Sequence, residues 1–258
     1  RDKVNWTEYT SEYVNMEASE EETILILPIL TTLNKGEKLY FKGNNTSYYS
    51  VEKPLQLTCI PHSCNGRIAV PTGSESEDEI GPSYGLFNIS GNILSLIVGD
   101  EFKTTTEYTI EPLCFSFLFS DFIAVISGLF GYMSYLNSSK NLVLTEKYSE
   151  GCYAYLFYSQ LNMMEAPTIL PATTLAKSCY GSMFQCCTNL TTAPELPATT
   201  LAEGCYEGMF YYCTNLTTPP ELPATTLTEY CYNYMFTGCE SLTTAPELPA
   251  ITLAEGCY

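Results

Sequence analysis

Cys59, His62 and Cys64 form the one cluster of metal-ligand residue types in the sequence, within the stretch CIPHSC. A structural zinc ion takes four ligands, and no second cysteine pair lies nearby in the sequence. We therefore expect a local disulfide or an ordinary loop at this position, and we predict no metal site. His62 is also the only histidine of the chain, and no Ser-His-Asp or Cys-His context surrounds it.

Other catalytic signatures are missing from the sequence as well. We find no paired-carboxylate motif, no phosphate-binding glycine loop and no nucleophile elbow. The sequence therefore predicts a protein that is not an enzyme and that needs no cofactor.

Acidic side chains supply further candidates. The run from Glu75 to Glu79 lacks the alternating spacing and the glycine of a calcium loop, so we interpret it as a solvated loop. Two other sets of glutamates recur once every 26 residues: Glu195, Glu221 and Glu247, and Glu203, Glu229 and Glu255. Such columns keep a repeat protein soluble and discourage edge association. The alternative is a stripe that binds a cationic partner or divalent ions.

Tyrosines are numerous, with 21 in the chain. One set recurs at the same period and is expected to be packed: Tyr180, Tyr206, Tyr232 and Tyr258. A second set stands at positions that vary between repeats: Tyr211, Tyr212, Tyr230 and Tyr234. Exposed aromatic rings at variable positions would stack on sugars or anchor a protein partner, and half-buried packing is the alternative.

Composition excludes two classes of partner. The chain carries a formal net charge of −18, and no basic stripe interrupts it, so we expect no nucleic-acid partner. The longest apolar run, residues 122–133, contains Ser127, Gly128 and Gly131 and is too short to span a bilayer. We therefore expect no membrane insertion.

A strict internal repeat occupies the second half of the chain. The segments that begin at Leu175, Leu201 and Leu227 share one pattern, exemplified by LAEGCYEGMFYYCTNLTTPPELPATT, and LAEGCY from Leu253 begins another copy. Equivalent cysteines recur every 26 residues. A fixed period of this length is typical of stacked repeat arrays, in which neighbouring units bury each other's apolar faces.

Within a unit, apolar residues four apart predict a short helix, and the Thr-rich segment with two prolines predicts one or two short strands. Stacking would then bury columns of equivalent residues. These are Cys179, Cys205, Cys231 and Cys257; Cys187, Cys213 and Cys239; Met183, Met209 and Met235; and Phe184, Phe210 and Phe236. Because burial explains these cysteines, we do not require them to pair as disulfides.

The repeats weaken toward the N-terminus. GCYAYLFYS from Gly151 and LCFSFLFS from Leu113 follow the same frame, with one residue inserted near 162–164. We place degenerate units at 106–165 and regular units at 166–258. Residues 1–105 contain no repeat, and their apolar stretches, such as ILILPIL, predict strands of a β-sandwich-like domain that caps the array.

The repeat unit resembles the BspA-like leucine-rich repeats of bacterial surface proteins, in the variant that reads LPATTLA..CY..MF..CT.LTTAPE. The segments TTLNKGEKLYFKGNNTSY and LFNISGNILSLIVGDEF resemble the N-terminal segment that accompanies these repeats. The resemblance implies an α+β repeat fold, a leucine-rich-repeat-type solenoid, on a secreted or surface-anchored protein.

The sequence predicts a non-catalytic adhesion module, extracellular or on a cell surface, that presents a repetitive face to a protein or glycan. A structural spacer or assembly element of a surface layer or phage particle is the alternative. The sequence ends at Tyr258 inside a repeat, so we also expect a longer parent protein and possible self-association through an uncapped edge.

Overall fold

The fold is described here from a computed structural model of the chain. The structure describes residues 15–18, 22–26, 30–34, 38–40, 58–60, 87–94, 103–106, 108–116, 118–120 and 136–258.

Seven strands lie within these described residues. They are β1 (Asn15–Ala18), β2 (Glu22–Ile26), β3 (Leu30–Asn34), β4 (Lys38–Tyr40), β5 (Thr58–Ile60), β6 (Phe87–Asn92) and β7 (Leu136–Val143). One sheet has the order β4-β1-β6-β7 and the other has the order β3-β2-β5. ILILPIL begins in β2, which ends at Ile26, and its last residue, Leu30, begins β3.

The β6–β7 pair joins the N-terminal strands to the repeats. It is parallel, whereas the other strand pairs of the two sheets are antiparallel. On its other side, β7 forms a parallel bridge from Ser138 to Glu165. Ile89 and Ile93 are buried in the same apolar cluster as the repeat residues. The prediction of a β-sandwich-like cap, with its boundary at 105, stays a prediction.

The repeats are numbered below as units 1 to 5, which begin at Tyr148, Leu175, Leu201, Leu227 and Leu253. The segment of each unit that was predicted to be a short helix contains no helix in the described residues. In unit 2 the amides of Cys179, Gly181 and Met183 instead donate to carbonyls three residues back, at 3.0 to 3.3 Å. Residues 176–187 of unit 2, and their equivalents in the other units, thus form a chain of overlapping β-turns, called here the turn segment.

The remaining amides of the turn segment bond to the neighbouring unit. Tyr180 donates to Cys205 O at 3.0 Å, and Phe184 donates to Met209 O at 3.0 Å. Backbone donors therefore point alternately within the unit and to the next one. An α-helix would direct every interior amide to the carbonyl four residues back.

This alternation depends on a left-handed backbone at every fourth residue of the turn segment. Equivalent positions in successive units form three left-handed columns with φ between 50° and 77°. The first contains Gly151, Ser178, Gly204, Tyr230 and Gly256; the second Tyr155, Ser182, Gly208 and Tyr234; and the third Ser159, Cys186, Tyr212 and Gly238. Because apolar residues four apart fit this turn repeat as well as a helix, their spacing did not distinguish the two.

Glycine follows Tyr212 and Tyr230 in these columns for a steric reason. A side chain at a left-handed position leans over the equivalent residue of the next unit. A Cβ on Gly256 would lie 2.5 Å from the Tyr230 ring, and one on Gly238 would lie 2.9 Å from the Tyr212 ring. The rings of Tyr212 and Tyr230 therefore require glycine at positions 238 and 256.

The core consists of stacked columns of equivalent side chains. Tyrosine rings stack from Tyr153 to Tyr258 with centroids 5.7 to 6.1 Å apart. Phe115 lies at the head of this column, 5.2 Å from Tyr153, so LCFSFLFS occupies the frame predicted for it. The phenylalanine column runs in the same way from Phe119 to Phe236. Apolar burial thus continues from unit to unit without a break.

The inserted residue of unit 1 follows Met163. Met163 is buried at the position that Leu190 holds 27 residues later, whereas Leu170 precedes its equivalent Leu196 by 26. Met164, by contrast, is exposed. The extra residue is therefore accommodated at the surface, within the range predicted for it, and the buried columns keep their register.

The steric dependence between Tyr212 and Gly238 predicts a stability coupling. Gly238→Ala should destabilise the fold by about 1–2 kcal/mol through its left-handed φ alone, and further through contact with the Tyr212 ring. In a Tyr212→Ser background the ring contribution should vanish, which leaves a coupling of roughly 1 kcal/mol. Urea unfolding of the four proteins of this double-mutant cycle measures it, and simple additivity would contradict the described contact.

Candidate functional site

The tyrosines predicted to form a ligand face divide into two groups. Tyr211 and Tyr234 line an open surface trough of about 560 Å³, together with Tyr155 of unit 1. Tyr212 and Tyr230 do not line it, and their rings lie over Gly238 and Gly256 instead. The structure therefore assigns the second pair a contact between units, although Tyr212 remains partly exposed and contacts Tyr211 edge-on.

The trough arises from the side-chain sizes in the second left-handed column. Tyr155 and Tyr234 stand at its two ends, and the small residues Ser182 and Gly208 lie between them. Extended strands that are hydrogen bonded to each other lie about 4.8 Å apart, so three unit steps separate the two tyrosines by about 14 Å. We call this surface, with Ser178 and Gly204 of the first column, the tyrosine trough.

Backbone donors on the trough floor are already engaged. The amides of Ser182 and Gly208 donate to carbonyls of the following units, at 2.8 Å each. Those of Ser178 and Gly204 do the same at 3.0 Å. A bound molecule therefore finds no free amide donor at these four positions.

The polar side chains of the trough are of few kinds. Its lining contains the hydroxyls of Ser178 and Ser182, the amide of Gln185 and one carboxylate, Glu207. Asn233 Nδ2 donates to Glu207 Oε1 at 3.4 Å, which helps to orient this exposed carboxylate. Within the described residues no lysine or arginine lines the trough. The site therefore offers phenol rings and hydrogen-bonding groups with a single negative charge.

The first acidic column lies in a different part of each unit. Glu195, Glu221 and Glu247 are exposed, but none of them lines the trough. Glu195 lies in the Thr-rich segment, where it forms a parallel bridge with Ile169. The sequence predicted that these glutamates and the variable tyrosines share one ligand face. The structure does not bring the two sets together at the trough.

The second acidic column is partly neutralised. Lys177 occupies the equivalent position in unit 2, and its Nζ lies 3.0 Å from Glu203 Oε1. The hydrogen bond to Glu203 raises the pKa of the Lys177 ammonium. Further along, Tyr230 OH donates to Glu255 Oε1 at 3.2 Å. These contacts give the column a role in joining neighbouring units at the surface.

The cysteines, methionines and phenylalanines predicted to form columns line up inside the repeats. All are buried apart from Phe236, which is partly buried against the same cluster. The thiols of Cys187, Cys213 and Cys239 each donate to the carbonyl of a phenylalanine in the preceding unit, at 3.1 to 3.2 Å. The ten cysteines whose side chains the structure describes are all free thiols. Cysteine thus fills a small apolar space and also provides a weak donor to the adjacent unit.

Several other candidates lie outside the described residues. These are the side chains of Cys59, His62 and Cys64 and the acidic run from Glu75 to Glu79. In the part of the chain that is described, no group of three or more histidine, cysteine or acidic residues is placed to hold a metal ion. The same part has no helix long and apolar enough to cross a bilayer.

The chain matches no protein-family model, no curated protein and no solved structure.

Sequence reasoning identified Tyr211 and Tyr234 and missed the rest of the trough lining. Tyr155, Ser182, Gln185 and Glu207 were not singled out, because Tyr155 lies in a degenerate unit and the others are small or polar. A usable signal exists in the aligned repeats, where one column reads Tyr, Ser, Gly, Tyr at 155, 182, 208 and 234. Two small residues between two large ones mark a gap in a surface that is otherwise periodic.

The buried thiols predict an alkaline loss of stability. Burial raises the pKa of Cys152 and of Cys205 from 9.0 to about 12. Below pH 9 both the folded and the unfolded chain keep these protons, so the stabilisation is fully present. Between pH 9 and 12 the unfolded chain releases them first, and the free energy of unfolding falls as pH rises.

Urea unfolding between pH 8 and 11, in the presence of a reductant, measures this dependence. The buried tyrosines Tyr153 and Tyr180, whose pKa values burial also raises, add to the fall at the upper end of the range. A Cys152→Ala/Cys205→Ala variant should show a shallower slope between pH 9 and 10. A flat profile for the unsubstituted chain would contradict the burial of these thiols.

Proposed function

We propose that this chain is a non-catalytic binding module of a secreted or cell-surface protein, which uses the tyrosine trough to hold a protein or a glycan. In this proposal the repeats form a leucine-rich-repeat-type solenoid, and the stacked units serve as a rigid frame for the trough.

One observation carries the proposal: tyrosine occupies left-handed positions at both ends of the trough. Tyr155 and Tyr234 have φ of 58° and 54°. A residue with a Cβ in this conformation costs about 1–2 kcal/mol relative to right-handed backbone, a cost that glycine avoids. Gly208 stands in the same column, so the fold accepts glycine there.

Both rings are accessible at the trough, since Tyr155 is half-buried and Tyr234 is exposed. Residues held in sparsely populated backbone conformations concentrate at functional sites, where the constraint fixes a side chain's direction. The two tyrosines thus have the properties of rigid aromatic anchors directed at a ligand.

Binding without catalysis fits the composition of the trough. Glycoside hydrolysis uses two carboxyl groups on opposite sides of the reacting bond, and the trough has Glu207 alone. The nearest candidate nucleophiles, Ser178 and Ser182, have no histidine or carboxylate-histidine pair beside them in the lining.

A spacer or assembly element of a surface layer or phage particle is the second candidate. It is favoured by the inter-unit hydrogen bonds of the turn segments, which continue from Gly151 through Tyr232. Such a ladder makes the array stiff whether or not a ligand binds. In this case the tyrosines of the trough would contact other copies or assembly partners, or nothing at all.

A binding screen separates the two candidates. The intact chain is tested on a glycan array and on immobilised extracellular-matrix proteins, beside a Tyr155→Ser/Tyr234→Ser variant. Serine is accepted in this column at Ser182, so the variant should fold. We expect the intact chain to bind at least one ligand. The variant should bind that ligand with an affinity about tenfold lower or weaker still, because it lacks two aromatic contacts.

Tyr230→Ser serves as the matched control, because it removes a tyrosine from a left-handed position outside the trough. It should bind like the intact chain. If the folded intact chain binds nothing, or if all three proteins bind equally, the binding proposal is wrong and the spacer role takes its place.

A further inference from the structure

We infer that the tyrosine trough accepts a neutral oligosaccharide, lying along the direction in which the units stack, between Tyr155 and Tyr234. The inference rests on the proposed binding function and adds the chemical class of the ligand. It follows from four properties of the trough. The backbone amides of its floor are already hydrogen bonded, tyrosine rings stand at its ends, polar side chains line the space between them, and its charge is negative.

The engaged backbone disfavours an extended peptide. A peptide that adds to an exposed strand edge is held by main-chain hydrogen bonds from its host. On the trough floor the amides of Ser178, Ser182, Gly204 and Gly208 already donate to carbonyls of neighbouring units. The floor therefore has no row of free amides for a peptide to pair with.

The side chains that remain match a sugar. A pyranose ring presents C–H groups on its faces and hydroxyl groups around its edge. The tyrosine rings at the trough ends provide aromatic faces for the C–H groups. Ser182, Gln185 and Glu207 line the space between them and provide donors and acceptors for the hydroxyls.

The charge of the trough disfavours an anionic sugar. Glu207 lies in the lining without any lysine or arginine, and the whole chain carries −18. A sulfated or carboxylated glycan would meet unfavourable potential and no cationic partner. A neutral hexose, by contrast, donates its hydroxyls to the carboxylate.

The length of the trough indicates more than one sugar ring. Three unit steps of about 4.8 Å separate its two end tyrosines, and the floor between them is made of residues no larger than serine in both left-handed columns. An elongated ligand that contacts both tyrosines is therefore required to fill the site.

A large side chain at a left-handed position lies over the equivalent residue of the next unit. A substitution to tyrosine in the first column can therefore block the trough without unfolding the protein. Ser178 follows Gly151 and precedes Gly204 in the first column, just as Tyr230 follows Gly204 and precedes Gly256. A Ser178→Tyr ring should therefore lie over Gly204 in the way that Tyr230 lies over Gly256. Tyr230→Ser is the reverse exchange and copies the existing pair of Ser178 and Gly204.

The experiment uses the full chain, the Ser178→Tyr and Tyr230→Ser variants, and the two changes combined. Calorimetric titration is performed with neutral cello-, laminari-, chito- and manno-oligosaccharides, and with heparin as the anionic probe. Circular dichroism and thermal unfolding check that each variant is folded. We expect at least one neutral series to bind, no measurable binding by Ser178→Tyr or the combined variant, and unchanged binding by Tyr230→Ser.

Each other outcome overturns the inference in a recognisable way. Neutral-sugar binding that survives in folded Ser178→Tyr places the sugar elsewhere on the chain. Preferential binding of heparin contradicts the charge argument. If no sugar binds but an extracellular-matrix protein does, and Ser178→Tyr abolishes that binding, the ligand class is wrong while the proposed binding function stands.

Discussion

The repeats of this protein depend on how their backbone amides are shared. Each turn segment directs every second amide to its own unit and the others to the next unit, and this division requires a left-handed residue at every fourth position. A helix would have satisfied the same amides internally and left nothing with which to join its neighbour. The turn repeat instead makes each unit the hydrogen-bonding partner of the following one, while the aromatic columns exclude water from the same junction.

The left-handed positions connect this backbone constraint to the surface. Because side chains there lean over the next unit, the Tyr230 ring requires a glycine at position 256. Elsewhere in the columns small residues stand next to each other, and the surface is open. The tyrosine trough is such an opening, between Tyr155 and Tyr234. Its shape therefore follows from residue sizes at positions whose backbone is already determined by the stacking of the units.

The sequence alone predicted those features that depend on period and apolarity. Fixed recurrence identified the buried cysteine, methionine and phenylalanine positions, and the frame of LCFSFLFS could be placed at Phe115. Backbone conformation could not be predicted in the same way, because a four-residue apolar spacing suits both a helix and the turn repeat. The signal that separates them is the set of glycines at Gly204, Gly208 and Gly256, which recur where a left-handed φ is needed. Tyr212 and Tyr230 were assigned to a ligand face because the residue type at their positions differs between repeats. That difference does not reveal whether a side chain contacts the neighbouring unit.

The shared amides are tested most directly by scalar couplings across hydrogen bonds in an NMR spectrum of the labelled chain. The account predicts couplings from the amide nitrogen of Tyr180 to the carbonyl of Cys205 and from that of Phe184 to the carbonyl of Met209. Couplings to carbonyls four residues back, from Tyr180 to Ala176 and from Phe184 to Tyr180, would show a helix and contradict the account.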